Sequence, residues 1–127
     1  MEKAAVAHVT AYYEKLHGPT CVVLSVEPYA KGWDLEVFVG PEPLRVEVKG
    51  LMNSALVCEL TPNEYEKMML AEHRPNYVLY IVNNALADPP AVPVASIFEH
   101  AGHEKWVTVD GRELMITPKV AAVLSCN

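Results

Sequence analysis

Apolar side chains near the N-terminus recur at steps of three and four residues, as on one face of a helix. The stripe consists of Val6, Val9, Tyr13 and Leu16. It predicts an amphipathic helix over residues 2–17, which Gly18 and Pro19 end. One turn back, the stripe reaches Glu2, so we expect a carboxylate at the N-terminal end of the buried face.

Alternating or continuous apolar runs predict strands farther along the chain. These runs cover residues 21–26, 34–39, 44–49, 54–60 and 77–82. The last run, YVLYIV, is nearly all apolar, as expected of a central strand that is covered on both faces. Before it, Thr61, Pro62 and Glu64 form the start of a helix that continues to about His73, with Thr61 and Glu64 as a capping box.

The C-terminal part is less regular. Three prolines in residues 88–93 indicate a loop or extended chain. Residues 106–109 and 112–117, joined by Asp110 and Gly111, are typical of a hairpin with a type I′ turn. We therefore predict one α/β domain over residues 1–127. Its αβββαβ core, a mixed sheet flanked by helices, occupies about residues 2–83, and the extension over 84–127 carries a β-hairpin.

The second and third strands place charged side chains together. With residues 40–43 as a four-residue loop, Glu36 lies opposite Glu47 and Asp34 lies opposite Lys49, and opposed residues share a face of the sheet. Any even loop length gives the same faces, whereas a one-residue bulge would separate them. The pattern therefore predicts a cluster of three carboxylates and one ammonium group.

Carboxylates that face each other destabilise a hairpin unless a cation lies between them. Mg²⁺ is commonly held by one or two carboxylates and waters, and it can acidify a bound water and stabilise charge on a phosphate. Lys49 would then orient or deprotonate the attacking water, or neutralise the phosphate oxygens. The alternative interpretation is a solvated strand face, with Glu2 complementing the helix dipole and Glu64 serving only the capping box.

Five segments resemble the NO VEIN C-terminal domain, a branch of the PD-(D/E)xK restriction-endonuclease-like nucleases. They are EKAAV, GWDLEV, RVEVKG, LTPNEYEKM and YVLYIV, in that order, within residues 2–83. The resemblance implies an αβββαβ core and hydrolysis of phosphodiester bonds that depends on a divalent metal, Mg²⁺ or Mn²⁺. Trp33 replaces the proline of the superfamily motif, and residues 84–127 are not matched.

The same resemblance implies roles for individual residues. Asp34 takes the metal-binding Asp position, Glu47 the variable acidic position and Lys49 that of the catalytic lysine. Glu2 matches a first-helix glutamate that many members use in catalysis, and the backbone carbonyl of Val48 would be a further metal ligand. Asn63 and Glu64 match an "NE" motif on the second helix, where we favour a structural role for Glu64.

Composition limits the function classes. A net charge of −6 and a pI near 5.3 argue against indiscriminate nucleic-acid binding, so strong DNA affinity would need a partner, a dimer or a local basic strip. No apolar run is long enough to span a membrane and the N-terminus does not resemble a secretory signal, so we expect a cytoplasmic protein. Three cysteines without a CxxC pair fit reduced thiols, with Cys21 and Cys58 as small core residues.

Other candidate sites are weaker. His100 and His103 suggest zinc, but they lack nearby cysteines or an HExxH pattern. No cysteine has a recognisable nucleophile context, and no phosphate-binding glycine loop for ATP is present. Trp33 and Trp106 would either stack on bases or anchor the core.

The sequence thus predicts a Mg²⁺- or Mn²⁺-dependent endonuclease that acts on DNA, or on RNA, in prokaryotic restriction, repair or defence. Two alternatives remain: a catalytically inactive module with the same fold that binds nucleic acid or protein, and a small structural protein. Because family members are often joined to helicase or ATPase proteins, such a partner is expected, and cleavage of both strands would favour a homodimer.

Overall fold

The computed structural model describes residues 2–29, 31–51, 56–83, 94–119 and 124–126, with the side chains of residues 2–5 left out. Two α-helices and six strands make up its regular structure. In chain order they are α1 (Glu2–His17), β1 (Val22–Ser25), β2 (Leu35–Phe38), β3 (Leu44–Gly50), α2 (Pro62–Met69), β4 (Tyr77–Asn83), β5 (Val94–His100) and β6 (Trp106–Val107). Short 3₁₀ turns lie at Glu27–Tyr29 and Arg74–Asn76.

The strands form one sheet in the order β1-β2-β3-β4-β5-β6. Neighbouring strands are antiparallel except β3 and β4, which are parallel and are connected through α2. The fold is therefore mixed α/β, and the αβββαβ order predicted for residues 2–83 is observed. All seven residues of β4 are buried, which confirms the prediction of a central strand.

Two hydrophobic cores lie on opposite faces of the sheet because strand side chains alternate between faces. On the α1 face, Val9 and Tyr13 pack against Val46, Val48 and Tyr80. On the α2 face, the core consists of Val26, Trp33, Met68, Tyr77, Leu79, Ile81, Phe98 and Trp106. Val46 and Val48 point to the α1 face, so the alternating residues of β3, Arg45, Glu47 and Lys49, point to the α2 face.

Several predicted elements differ from the structure. Helix α2 ends at Met69 rather than near His73, because Leu70 is extended. Residues 56–60 of the proposed strand 54–60 are not in a strand, whereas residues 52–55 lie outside the described residues. The loop proposed for residues 88–93 also lies outside them. Strand β5 was missed because small, polar Ser96 occupies a buried position and interrupts the apolar pattern.

The predicted C-terminal hairpin is present in a shorter form, in which β6 is bridged to Glu113. The backbone N–H of Gly111 donates to the carbonyl of Thr108 (3.0 Å), and Gly111 has a φ of +89°. The type I′ assignment is wrong, because His103 is the only described non-glycine residue with a positive φ and Asp110 therefore lacks one. The loop fits a type I turn followed by a left-handed glycine.

Other features agree with the sequence. Among the described residues no cysteine forms a disulfide, and Cys21 and Cys58 pack against the α1-face and α2-face cores respectively. Within the described part of the chain, neither helix has the length and apolar character needed to cross a membrane.

Candidate functional site

The register of β2 and β3 determines which charged side chains meet. The structure pairs Leu35 with Val46, Glu36 with Arg45 and Val37 with Leu44. Relative to the predicted pairing, β3 is displaced by two residues, because the connection covers residues 38–43 instead of 40–43. An even displacement leaves every side chain on its predicted face.

The predicted polar face is therefore present, although its cross-strand pairs were wrong. Glu36 lies opposite Arg45 rather than Glu47. Continuing the register by one residue brings Asp34 level with Glu47 rather than Lys49. These side chains lie on the α2 face of the sheet.

Asp34 is attached to β3 by two hydrogen bonds. Its backbone N–H donates to the Val46 carbonyl (2.9 Å), and its Oδ2 accepts from the backbone N–H of Val48 (2.9 Å). Burial raises the pKa of Asp34, while the Val48 N–H acts in the opposite direction. The carboxylate is thus fixed beside the segment that carries Glu47 and Lys49.

Glu47 is the most buried acidic group at this site, with 2% of its surface exposed. Its Oε2 lies 3.0 Å from Lys49 Nζ, and its Oε1 has no hydrogen-bond partner among the described residues. Burial, and next the charge of Asp34, raise the pKa of Glu47 to about 9. In the absence of a cation, this carboxyl group therefore retains a proton at neutral pH.

Lys49 lies between two acidic side chains. Its Nζ is 3.0 Å from Glu47 Oε2 and 2.9 Å from Glu64 Oε1. Burial alone would lower the pKa of Lys49, but Glu47 and Glu64 together raise it above its ordinary value. This environment keeps the side chain an ammonium ion. It therefore favours positioning and charge neutralisation over the role of proton acceptor.

Glu64 connects this centre to α2. The predicted capping box is confirmed: the Thr61 backbone N–H donates to Glu64 Oε1 (2.8 Å) and the Glu64 N–H donates to Thr61 Oγ1 (3.2 Å). The same Oε1 accepts from Lys49 (2.9 Å), a contact that the sequence analysis missed. Burial opposes ionisation of Glu64, but the Thr61 N–H and the Lys49 ammonium hold its pKa below the ordinary value.

Glu36 lies at the rim of the carboxylate centre. Its Oε2 accepts from Trp33 Nε1 (3.0 Å) and from Lys31 Nζ (3.4 Å). The indole ring of Trp33 is itself buried in the α2-face core, as is that of Trp106. Both tryptophans are therefore core anchors, and Trp33 also holds one acidic side chain.

Gly32 fixes the backbone just before Asp34. It has a φ of +98°, which favours glycine, and its carbonyl accepts from the buried Tyr77 hydroxyl (2.7 Å). A Cβ at this position would lie 2.4 Å from Cγ of Lys67 on α2. The segment can thus approach α2 closely only because residue 32 has no side chain.

Two predicted site residues remain predictions. Glu2 begins α1, which packs on the sheet face opposite the acidic centre, and its side chain lies outside the described ones. Val48 directs its side chain into the α1-face core, while the proposed role belongs to its backbone carbonyl.

The described contacts of His100, and those of His8 and His17 elsewhere in the chain, are separate from one another. His100 Nε2 donates to the carbonyl of His103 (2.7 Å), His8 shares a hydrogen bond with Tyr80, and His17 stacks on Tyr13. Within the described ranges, no group of three or more His, Cys, Asp or Glu residues is arranged to hold a metal. The zinc interpretation therefore gains no support from these histidines.

Asp34 and Glu47 provide a smaller donor set, of two carboxylates. That number fits Mg²⁺ or Mn²⁺, which complete their shell with water, better than it fits a closed zinc site with four protein ligands. Lys49 contacts Oε2 of Glu47, whereas Oε1 has no hydrogen-bond partner among the described residues and is the oxygen that a cation would use.

Comparison with known proteins gives one match. Residues 1–95 match the family model described as "Protein NO VEIN, C-terminal", which covers 95 of the 127 residues. No curated protein and no solved structure matches the chain.

Proposed function

This chain belongs to the NO VEIN C-terminal family, and we propose that it is a divalent-metal-dependent nuclease of the PD-(D/E)xK, restriction-endonuclease-like class. Its substrate would be DNA, whose phosphodiester bonds it hydrolyses. One observation carries the proposal: a buried glutamate, one oxygen of which has no hydrogen-bond partner in the described part of the chain, lies beside a second carboxylate and an ammonium group. The motif resemblance through GWDLEV and RVEVKG assigns catalytic roles to the same residues.

In this proposal, Asp34, Glu47 and the Val48 carbonyl hold Mg²⁺ or Mn²⁺. When bound, the ion supplies an acidified water and stabilises negative charge on the phosphate. The protein contributes a fixed Asp34 carboxylate, anchored by the Val48 N–H, and a buried Glu47 that exchanges its proton for the cation.

Lys49 acts as an ammonium ion in this arrangement. Glu64 holds it at 2.9 Å from the α2 side, which leaves it directed at the region between Glu47 and α2. A positive group placed there neutralises oxygens that become more negative in the transition state, and it orients the attacking water. Because the carboxylates raise its pKa, Lys49 is a poor proton acceptor, so abstraction of the water proton falls to another group or to the substrate.

The experiment is a cleavage panel of duplex, single-stranded and junction DNA and of RNA, with Mg²⁺, Mn²⁺ or chelator. We expect Mn²⁺ to produce cleavage of at least one DNA form and Lys49→Ala to reduce the rate at least about a hundredfold. Lys15→Ala, which removes an exposed lysine from α1, is the matched control and should cleave like the unmodified protein. Circular dichroism would verify that both variants are folded.

Two outcomes would contradict the proposal. Cleavage that Lys49→Ala leaves unchanged would point to a contaminating nuclease. Metal-independent binding of DNA or a protein without any cleavage would favour the inactive interaction module. In that case Asp34→Asn should leave binding unchanged or improve it, since it removes a negative charge.

A further inference from the structure

Unpartnered nitrogens gather at one end of the acidic face. In the described part of the chain, four buried side-chain polar atoms have no hydrogen-bond partner: Glu47 Oε1, Arg45 Nε, His73 Nδ1 and Arg74 Nε. Two of the four, Arg45 Nε and His73 Nδ1, belong to side chains that contact Trp33, and these two residues form what we call the cationic strip. Buried polar groups are nearly always partnered, so this concentration indicates a missing ligand with acceptor atoms.

Arg45 is the centre of this strip. Its guanidinium carbon lies 5.3 Å from the centroid of the Trp33 ring, and the His73 ring meets the same indole edge-on with 5.0 Å between centroids. Both side chains therefore lie against one ring, and burial, followed by the charge of Arg45, lowers the pKa of His73. Trp33 thus contacts both groups.

The chain has three arginines, and they differ in how their charge is compensated. Arg112 pairs with Asp110 (3.2 Å), and Arg74 donates to the Met69 carbonyl (2.6 Å). Arg45 makes neither an ion pair nor a hydrogen bond through its side chain with any described residue. A half-buried guanidinium in that state is compensated only by the aromatic ring, which is a weak substitute for an anion.

Nearby carboxylates do not fill this role, although two lie on the same face. Glu36, opposite Arg45 in the sheet, is occupied by Trp33 and Lys31. Glu47, two residues along β3, is directed to Lys49. The face therefore separates into an acidic centre and an adjoining cationic end, in a protein whose net charge is −6.

We propose that Arg45 and His73, supported by Trp33, bind a phosphate group of the polynucleotide that adjoins the one to be cleaved. This inference rests on the proposed function, since it names a further substrate contact of the same site. Arg45 and Glu47 are two residues apart on one strand face, which separates them by about 7 Å along β3. The planar guanidinium matches phosphate oxygens in a two-point contact, and His73 supplies an additional donor.

The contact explains how an acidic protein can hold an anionic backbone. On this face the substrate would meet positive charge at this strip, at Lys49 and at the metal, so binding would depend on few phosphate contacts. Such contacts fix the position of the strand without reading its sequence.

The experiment measures the anisotropy of a short labelled single strand and its duplex over a range of salt concentrations, with Ca²⁺ or chelator. We expect Arg45→Gln to weaken binding about tenfold and to reduce the slope of log K against log salt by about 0.9 for the duplex. Arg45→Lys should retain the slope and lose part of the affinity, because it keeps the charge without the planar group. Arg112→Gln is the matched control and should change neither quantity.

Each result has a defined meaning when the same variants are also assayed for Mn²⁺-dependent cleavage. If the protein binds and cleaves but Arg45→Gln behaves like Arg112→Gln, the phosphate contact is wrong and the nuclease proposal stands. If Arg45→Gln weakens binding of a polynucleotide that is never cleaved, the contact stands and the nuclease proposal fails. If no polynucleotide binds, both fail. Should Arg45→Gln not fold, the comparison of Arg45→Lys with Arg112→Lys decides the question.

Discussion

At the scale of single residues, position 47 combines properties that conflict in a protein without a ligand. The glutamate side chain is buried on the α2 face of the sheet, near Asp34, and it is compensated by Lys49, which Glu64 also binds. The protein resolves the conflict by retaining a proton on Glu47, since its pKa rises to about 9. The free energy of unfolding should therefore depend on pH. A neutral side chain at position 47 should remove this contribution to the pH dependence.

We predict that Glu47→Gln removes part of the pH dependence of folding. In the unfolded chain a glutamate ionises near pH 4.3, whereas folded Glu47 retains its proton up to about pH 9. The unfolded state thus binds fewer protons between these values, and the free energy of unfolding of the unmodified protein falls as the pH rises through this window. Urea denaturation in chelator at pH 6 and pH 8.5 should show Glu47→Gln gaining on the unmodified protein, on the order of a few kcal/mol.

The difference between the pH profiles of the two proteins isolates the contribution of Glu47, because Asp34 and His73 titrate in both of them. Glu14→Gln, on the exposed side of α1, provides the control and should follow the unmodified protein. Parallel pH profiles for Glu47→Gln and the unmodified protein would mean that Glu47 ionises normally in the folded state.

At the scale of elements, the N-terminus of α2 serves the helix and the site with the same side chain. Glu64 Oε1 accepts from the Thr61 backbone and from Lys49, so the capping box also fixes the position of the ammonium group. Substitutions at Thr61 and Glu64 can separate the two roles, because Thr61 contributes only to the cap.

We predict that two substitutions in this cap change different properties, one the stability of the fold and the other the rate of cleavage. Thr61→Ala removes the side-chain acceptor for the Glu64 N–H and should lower the free energy of unfolding by about 1 kcal/mol, with little effect on cleavage. Glu64→Gln keeps an acceptor for the Thr61 backbone but removes the charge opposite Lys49. It should therefore reduce Mn²⁺-dependent cleavage roughly tenfold to a hundredfold with little loss of stability. Urea denaturation and cleavage rates should be measured on both variants. If Glu64→Gln cleaved as fast as Thr61→Ala, the contact with Lys49 would have no role in cleavage.

Sequence reasoning succeeded for elements whose signal is local. The faces of β2 and β3 follow from a period of two, and the capping box follows from the spacing of Thr61 and Glu64. The predicted register of β2 against β3 was wrong by two residues, because the length of a turn is fixed by its backbone conformation and by packing. The Lys49–Glu64 contact brings together residues of different elements, and only the "NE" motif on the second helix pointed to Glu64.

At the scale of the whole molecule, the region beyond the family match completes the sheet. The match ends at residue 95, but β5 pairs with β4 over six residues and β6 adds the outer strand. Phe98 and Trp106 are buried in the core beneath α2, and Trp106 Nε1 donates to the Tyr77 carbonyl (3.2 Å). The C-terminal part therefore supports the same sheet face that carries the acidic centre.

We predict that Trp106→Ala destabilises the whole domain. Loss of a fully buried tryptophan costs about 3–5 kcal/mol, and here it also removes the hydrogen bond from Trp106 Nε1 to the Tyr77 carbonyl. Val109→Ala, three residues away and fully exposed, is the control and should change stability by less than about 0.5 kcal/mol. Urea denaturation monitored by circular dichroism would measure both, and equal midpoints would show that the C-terminal segment is dispensable.

The connection between β2 and β3 gives protein engineers a place for insertions. Residues 38–42 are exposed, whereas Leu35, Val37, Val46 and Val48 fix the faces of the two strands through the α1-face core. A library in which residues are added to this connection should therefore recover working proteins at odd and even lengths alike, because surface loops tolerate insertions. A single residue inserted within β2 would instead turn side chains towards the opposite layer, unless the backbone absorbs it in a bulge.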